Sequence, residues 1–266
     1  HNLDQSQVAA VLKPNPDDKN VNPIEMVAFA QAQGFQARTF VNGDDRRLKL
    51  MLSNNIPVLL ETWLEETPND GLGHYRLLVG YDDRLQEWIF SDSYVANGAS
   101  GEGPNYRGIR IPYTRMDGHW AVFNLTYVVI YPDSMSAIVQ GIIGADMSQA
   151  TMWQNSLNRF QVEIQQNPKD PFAWFNLGST LSTMGLYDQA SVAFDQARAI
   201  GLPWRMLWYQ FEPFRAYYET GRYVELVELA EATINAGGEI EEVYFWKGRA
   251  LAAQNNFEAA KSAWQG

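Results

Sequence analysis

In the C-terminal half of this 266-residue chain, one set of residues returns three times in the same order. The first run holds Trp174, Leu177, Gly178, Leu181, Gly185, Tyr187, Ala190, Phe194 and Ala197. The second holds Tyr217, Gly221, Tyr223, Leu226, Ala230 and Thr233, and the third Tyr244, Gly248, Leu251, Asn255, Phe257, Ala260 and Trp264. The turn residues Gly185, Gly221 and Asn255 lie 36 and 34 residues apart, and an aromatic follows each by two positions. A period of that length is one helical hairpin, which buries its apolar face only by stacking on a neighbour. Gly178, Ala190, Gly248 and Ala260 are small enough for paired helices to approach, and the large residues fill the space between. The middle run departs from the pattern. Pro213 and Phe214 stand where a small residue is expected, and Gly201-Leu202-Pro203-Trp204 adds length at the joint.

The period and residue order resemble the tetratricopeptide repeat, most closely in the first run. The alternative is an ordinary helical bundle without stacked repeats. The resemblance implies an all-α domain over residues 150–266 that binds protein or peptide and performs no chemistry of its own. Trp204, Trp208, Tyr209, Phe211, Phe214 and Tyr218 crowd the irregular joint. They are expected to divide between buried core, inter-repeat or interdomain, and a surface that takes a partner.

Residues 1–135 have a different texture. A helix is expected around Gln5 to Leu12, stopped by Pro14 and Pro16. Asn22-Pro23 is a helix start, with Asn as cap and Pro in the first turn, and Gly34 is its stop. Phe35 to Val41 alternates like a strand, and Asp44 to Leu52 reads as a short helix. Strands follow at Ile56–Leu60, His74–Tyr81, Trp88–Phe90 and Tyr127–Tyr131, with a turn at Asp82-Asp83 and a short edge element at Arg110–Tyr113. Gly98 to Gly108 reads as a loop. Helices followed by a sheet expected to be antiparallel make an α+β domain. From Met135 onward nothing reads as a strand, and Ser148 to Gln166 reads as a long helix, so the boundary falls between 133 and 150.

Composition removes several classes of function. Acidic residues outnumber basic ones by 31 to 20, a formal charge of -11, and the one basic cluster, Arg46, Arg47 and Lys49, reads as a solvated helix face. Nucleic-acid binding is therefore not expected, because it rests on phosphate-neutralising cations. No stretch is apolar for long enough to span a membrane. There is no cysteine, which excludes disulfides, thiolate metal sites and a cysteine nucleophile within these residues. His1, His74 and His119 have no helix-spaced ligand partners, and Asp17-Asp18 and Asp44-Asp45 lack a calcium-loop register, so no metal and no cofactor is expected. Gly71-Leu72-Gly73 precedes no helix and is not a phosphate loop.

Chemistry is suggested at one place. His74 opens an apolar strand, and Asp92 follows the next strand eighteen residues later. Folding back near residue 83 sets the two almost opposite each other. A carboxylate there can orient one imidazole nitrogen and leave the other as a general base. A capping aspartate beside a structural histidine fits the same spacing. Ser6 lies in an amphipathic helix and Ser91 and Ser93 on the wrong element, so none reads as the nucleophile.

The stretch Gly73-His74-Tyr75-Arg76-Leu77-Leu78-Val79-Gly80-Tyr81-Asp82-Asp83, followed by Ser91-Asp92-Ser93-Tyr94, resembles the His and Asp motifs of papain-fold, bacteriocin-processing-type cysteine peptidases. Leu12-Lys13-Pro14-Asn15-Pro16-Asp17-Asp18-Lys19-Asn20-Val21 is similar to the bacterial peptidase-like branch of that clan, in which tetratricopeptide repeats sometimes follow. The resemblance implies that His74 matches the base and Asp92 the orienting residue. It also implies a cysteine at the start of a helix near the N-terminus, with a glutamine before it, and neither has a match here. Two expectations stay open. An upstream helix carrying the cysteine is missing from this chain, leaving an apolar groove that a neighbouring copy in a homo-oligomer would cover. Alternatively, the protein is a natural pseudo-enzyme or an interaction scaffold whose gap is closed. Relatives of the domain are often exported, so the resemblance points to the cell envelope or exterior of a bacterium.

Overall fold

A computed structural model describes residues 4–15, 20–67, 70–94, 106–237 and 239–265. His1, Asp17-Asp18 and most of the expected Gly98–Gly108 loop lie outside the described residues. The chain divides into two compact units, one of His1–Leu64 with Gly73–Asn155 and the other of Glu65–Leu72 with Ser156–Gly266.

The first unit begins with helices α1 (Gln5–Leu12) and α2 (Pro23–Ala32), strand β1 (Gln36–Phe40) and helix α3 (Asp45–Ser53). Strands β2 (Val58–Thr67), β3 (Asp70–Asp82), β4 (Glu87–Ser91) and β5 (Arg107–Pro112) follow, then α4 (Tyr113–Ala121), β6 (Tyr127–Tyr131) and α5 (Ser136–Ile143). Local chemistry sets the helix starts. The Asn22 side chain accepts from the Ile24 N–H while Glu25 reaches back to the Asn22 N–H at 2.8 Å, a reciprocal cap ahead of Pro23. Asp44 caps α3 through the Arg47 N–H.

The six strands form one sheet in the order β1-β6-β2-β3-β4-β5, and the pairs β1–β6, β6–β2, β3–β4 and β4–β5 are antiparallel. Phe40, Val58, Leu60, Leu78, Trp88, Phe90, Tyr127 and Val129 point to one face and meet Leu48 and Met51 of α3, Met116 and Trp120 of α4, and Val139 and Ile143 of α5 in a continuous core. Gly43 is obligatory there, because a Cβ would stand 2.4 Å from the Trp120 ring. Leu77 and Val79 alternate with the core residues of β3 and are 37% and 43% exposed.

Two helices arise where no element stands out in the sequence. Helix α4 has no side-chain cap and contains Gly118, yet it buries Tyr113, Met116 and Trp120 along one stripe. Helix α5 likewise lacks a cap and buries Val139 and Ile143. Both are held by burial rather than by terminal signals. Strand β3 starts before His74, so Gly71-Leu72-Gly73 is strand, not loop.

Helix α6 (Gln149–Gln166) leads into the repeats, whose helices are α7 (Pro171–Thr183), α8 (Tyr187–Ile200), α9 (Glu212–Glu219), α10 (Tyr223–Asn235), α11 (Glu241–Ala253) and α12 (Phe257–Ala263). The three turn residues share one conformation: Gly185, Gly221 and Asn255 have φ of 77°, 72° and 62°. In each turn the next N–H returns to a carbonyl five residues back, as Leu186 to Leu181 at 2.9 Å, Arg222 to Tyr217 at 2.8 Å and Asn256 to Leu251 at 2.9 Å. This is a Schellman closure, which satisfies the last helical carbonyls and needs the left-handed residue. The repeated aromatics Tyr187, Tyr223 and Phe257 then open the second helix of each pair.

Candidate functional site

His74 sits within β3, and Asp92 directly follows β4. The histidine Nε2 lies 2.6 Å from Asp92 Oδ1. The carboxylate is removed from solvent, with its side chain 0% exposed. Its other oxygen, Oδ2, accepts from Arg76 Nε at 2.7 Å, and the Tyr94 N–H adds a third bond to Oδ1 at 3.0 Å. The Asp92 N–H donates to the Tyr106 carbonyl at 2.8 Å, which anchors the residue beyond the strand end. Tyr94 also sets its ring edge-on to the imidazole, with centroids 5.8 Å apart.

The route by which these residues meet differs from simple reflection about residue 83. Leu77 pairs with Ser91 and Leu78 with Phe90, but Gly80 then pairs with Ile89, so Val79 is an extra residue on β3. This bulge moves the register by one. Continued past Leu77, the ladder sets Arg76 across from Asp92, and His74 reaches it diagonally, as a long polar side chain can. Arg76 is thus a member of the site that spacing alone does not find. The signal was present: a charged residue two positions from His74, on the inward phase of an apolar strand.

A second support lies on β2. The Thr62 hydroxyl donates to the His74 carbonyl at 2.8 Å and accepts from Arg76 Nη1 at 2.8 Å. Burial by itself would raise the Asp92 carboxyl. Hydrogen bonds from His74 and Arg76, the His74 charge and the Tyr94 N–H outweigh it and hold the group well below the usual carboxylate range. An ionised carboxylate only accepts, so Nε2 is the nitrogen that carries the proton toward it, and Nδ1 is left for proton exchange.

No thiolate nucleophile belongs to this constellation, because the chain has no cysteine. Ser6 donates to Asp4 at 2.6 Å within the cap of α1, and Ser91 pairs with Leu77 in the ladder. His119 lies in α4, and no cluster of three metal-ligating side chains occurs among the described residues.

In the second unit the residues around the irregular joint separate by burial. Phe214 is 0% exposed and belongs wholly to the core, whereas Trp204 is 39% exposed. Trp204 and Trp208 meet edge to face at 5.1 Å, with the Arg205 guanidinium 4.9 and 5.0 Å from their rings. Tyr209 and Phe211 are half-buried. Tyr218 contacts Tyr223 and Trp246 and carries the Arg249 guanidinium 4.1 Å above its ring.

Residues 173–197, which span most of α7 and α8, match the Tetratricopeptide repeat family. No curated protein matches the chain. Among the described residues no helix is long and apolar enough to cross a membrane.

Proposed function

We propose that the chain joins a protein-binding tetratricopeptide-type domain, residues 150–266, to a papain-like domain, residues 1–135, that keeps the base and orienting carboxylate of a bacterial peptidase-type site. One observation carries the second part: His74 Nε2 contacts a buried, ionised Asp92 at 2.6 Å, with Nδ1 left over. That is what a general base held by a carboxylate requires. The family match at 173–197 supports the first part. On its own, this chain supplies no thiolate and performs no thiol hydrolysis.

The test uses the native gene product. Thiol-dependent hydrolysis of peptides or esters is expected there, reduced at least about a hundredfold by His74→Ala or Asp92→Asn, since general-base assistance contributes on that order. Native protein with no such activity overturns the peptidase-type reading. The lack of cysteine favours a second reading, in which the same fold serves only to bind. Peptide binding that is unchanged by His74→Ala, in a native protein without hydrolysis, is its signature. On the same resemblance we place the protein at the bacterial cell envelope or outside the cell, which fractionation of the native host tests.

A further inference from the structure

We infer that Arg76 and Thr62 are positioning residues that hold the His74 ring in a single orientation and, when it is neutral, with its proton on Nε2. This rests on reading His74 and Asp92 as a base and its orienting carboxylate. The four residues close a circuit. His74 Nε2 meets Asp92 Oδ1 at 2.6 Å, Arg76 Nε donates to Asp92 Oδ2 at 2.7 Å, Arg76 Nη1 donates to Thr62 Oγ1 at 2.8 Å, and the Thr62 hydroxyl donates to the His74 carbonyl at 2.8 Å.

The chemistry of each group gives the circuit one direction. A carbonyl only accepts, so the single Thr62 proton is committed to His74, and the Thr62 lone pair is free for Arg76. A guanidinium only donates, and an ionised carboxylate only accepts, so the remaining ring contact is filled by Nε2–H. Arg76 also compensates the Asp92 charge. Arg76 and Asp92 are 3% and 0% exposed at their side chains, and a buried charge pair is costly where apolar residues would serve. Here it grips the second carboxylate oxygen and prevents the carboxylate from turning about its bond, while Thr62 ties the same arginine to the backbone of the base itself. Asp92 lies just beyond the end of β4, where its N–H to the Tyr106 carbonyl holds the backbone and the Arg76 contact holds the side chain.

Nitrogen-15 NMR of the histidine rings at about pH 8, where an ordinary imidazole is neutral, tests the inference. His74→Gln identifies the His74 signals. The wild-type chain is expected to show one tautomer, pyrrole-type at Nε2 and pyridine-type at Nδ1. Arg76→Met is expected to give averaged signals from both tautomers, with partial recovery in Arg76→Lys. Thr62→Val removes only the hydroxyl and keeps both charges, so it also covers the case in which Arg76→Met does not fold. It is expected to shift the His74 signals part of the way. A folded Thr62→Val variant with an unchanged single Nε2–H tautomer overturns the positioning role and leaves the His74–Asp92 reading standing. A wild-type ring protonated on Nδ1 overturns both.

Discussion

Asp92 and Asp117 are both aspartates of the first unit, and their surroundings push them in opposite directions. Asp92 is buried, but donors from His74, Arg76 and Tyr94 hold it low. Asp117 is pushed up to about 6, first by burial and then by the neighbouring Asp45, against weaker help from Lys49 and Trp88. A depressed carboxylate stabilises the fold in full above the unfolded value, near about 3.9, and loses that contribution as pH falls through the folded value. Urea unfolding of the wild type should therefore weaken on acidification below about pH 4. Asp92→Asn should show less of this slope and should already cost about 3–5 kcal/mol near neutrality, since Arg76 is left buried without its anion. Asp117 has the opposite sign. Its folded form holds the proton longer, so stability falls as pH rises from about 4 through 6, and the full penalty applies above that. Asp117→Asn is expected to stabilise by on the order of 1 kcal/mol at about pH 8 and to be near neutral at about pH 4. Destabilisation at the higher pH would contradict this.

The helical hairpins reveal why the middle repeat looks irregular. In the first pair Gly178 faces Phe194, and a Cβ on the glycine would lie 2.7 Å from that ring. In the third pair Gly248 faces Trp264 at 2.2 Å by the same measure. At the equivalent positions of the middle pair, seven residues before and nine after the turn glycine, stand Phe214 and Ala230, both 0% exposed. Large and small have changed helices, an exchange that is expected to keep the volume at this crossing. Phe214→Ala should cost about 3–5 kcal/mol, and Ala230→Phe should be destabilising by overpacking. The double variant should lose less than the sum, which a double-mutant cycle in urea measures. An additive result would refute the exchange. Gly178→Ala should cost more than Gly248→Ala, because Phe194 is sealed while Trp264 is 53% exposed and can yield outward at the loss of its 3.3 Å hydrogen bond to the Phe245 carbonyl. Thermal melts of the two variants compare them directly, with about 1–3 kcal/mol expected for the first.

For the molecule as a whole, the two units present different kinds of feature. The second presents repeated hairpins and an Arg205–Trp204–Trp208 cluster, features suited to recognition. The first pairs buried charges at two places, Arg76 with Asp92 at 2.7 Å and Arg47 with Asp146 at 2.7 Å. With no cysteine in the chain, iodoacetamide is expected to leave every binding or hydrolytic activity of these 266 residues unchanged, as read in matched assays with and without the reagent. Inhibition would mean that another side chain of this chain, alkylated by the reagent, is needed for the activity.

What the sequence determined by itself is local or periodic. The spacing of Gly185, Gly221 and Asn255 marks turns that need a left-handed residue, and all three adopt that conformation. Asn22-Pro23 starts a helix because cap and first-turn residue act within a few positions of each other. Tyr127 to Tyr131 is a strand because five apolar β-formers end at a proline. Tertiary structure decided the rest. Helices α4 and α5 have no side-chain caps and exist through the core they cover. Phe214 became core at a position where the repeat pattern calls for a small residue. The partner of Asp92 across the ladder depended on one bulged residue, Val79, which moves the register and brings Arg76 opposite. A period written along the chain survives translation into structure, but register between strands is set by which side chains can share one buried face, and a single extra residue changes it.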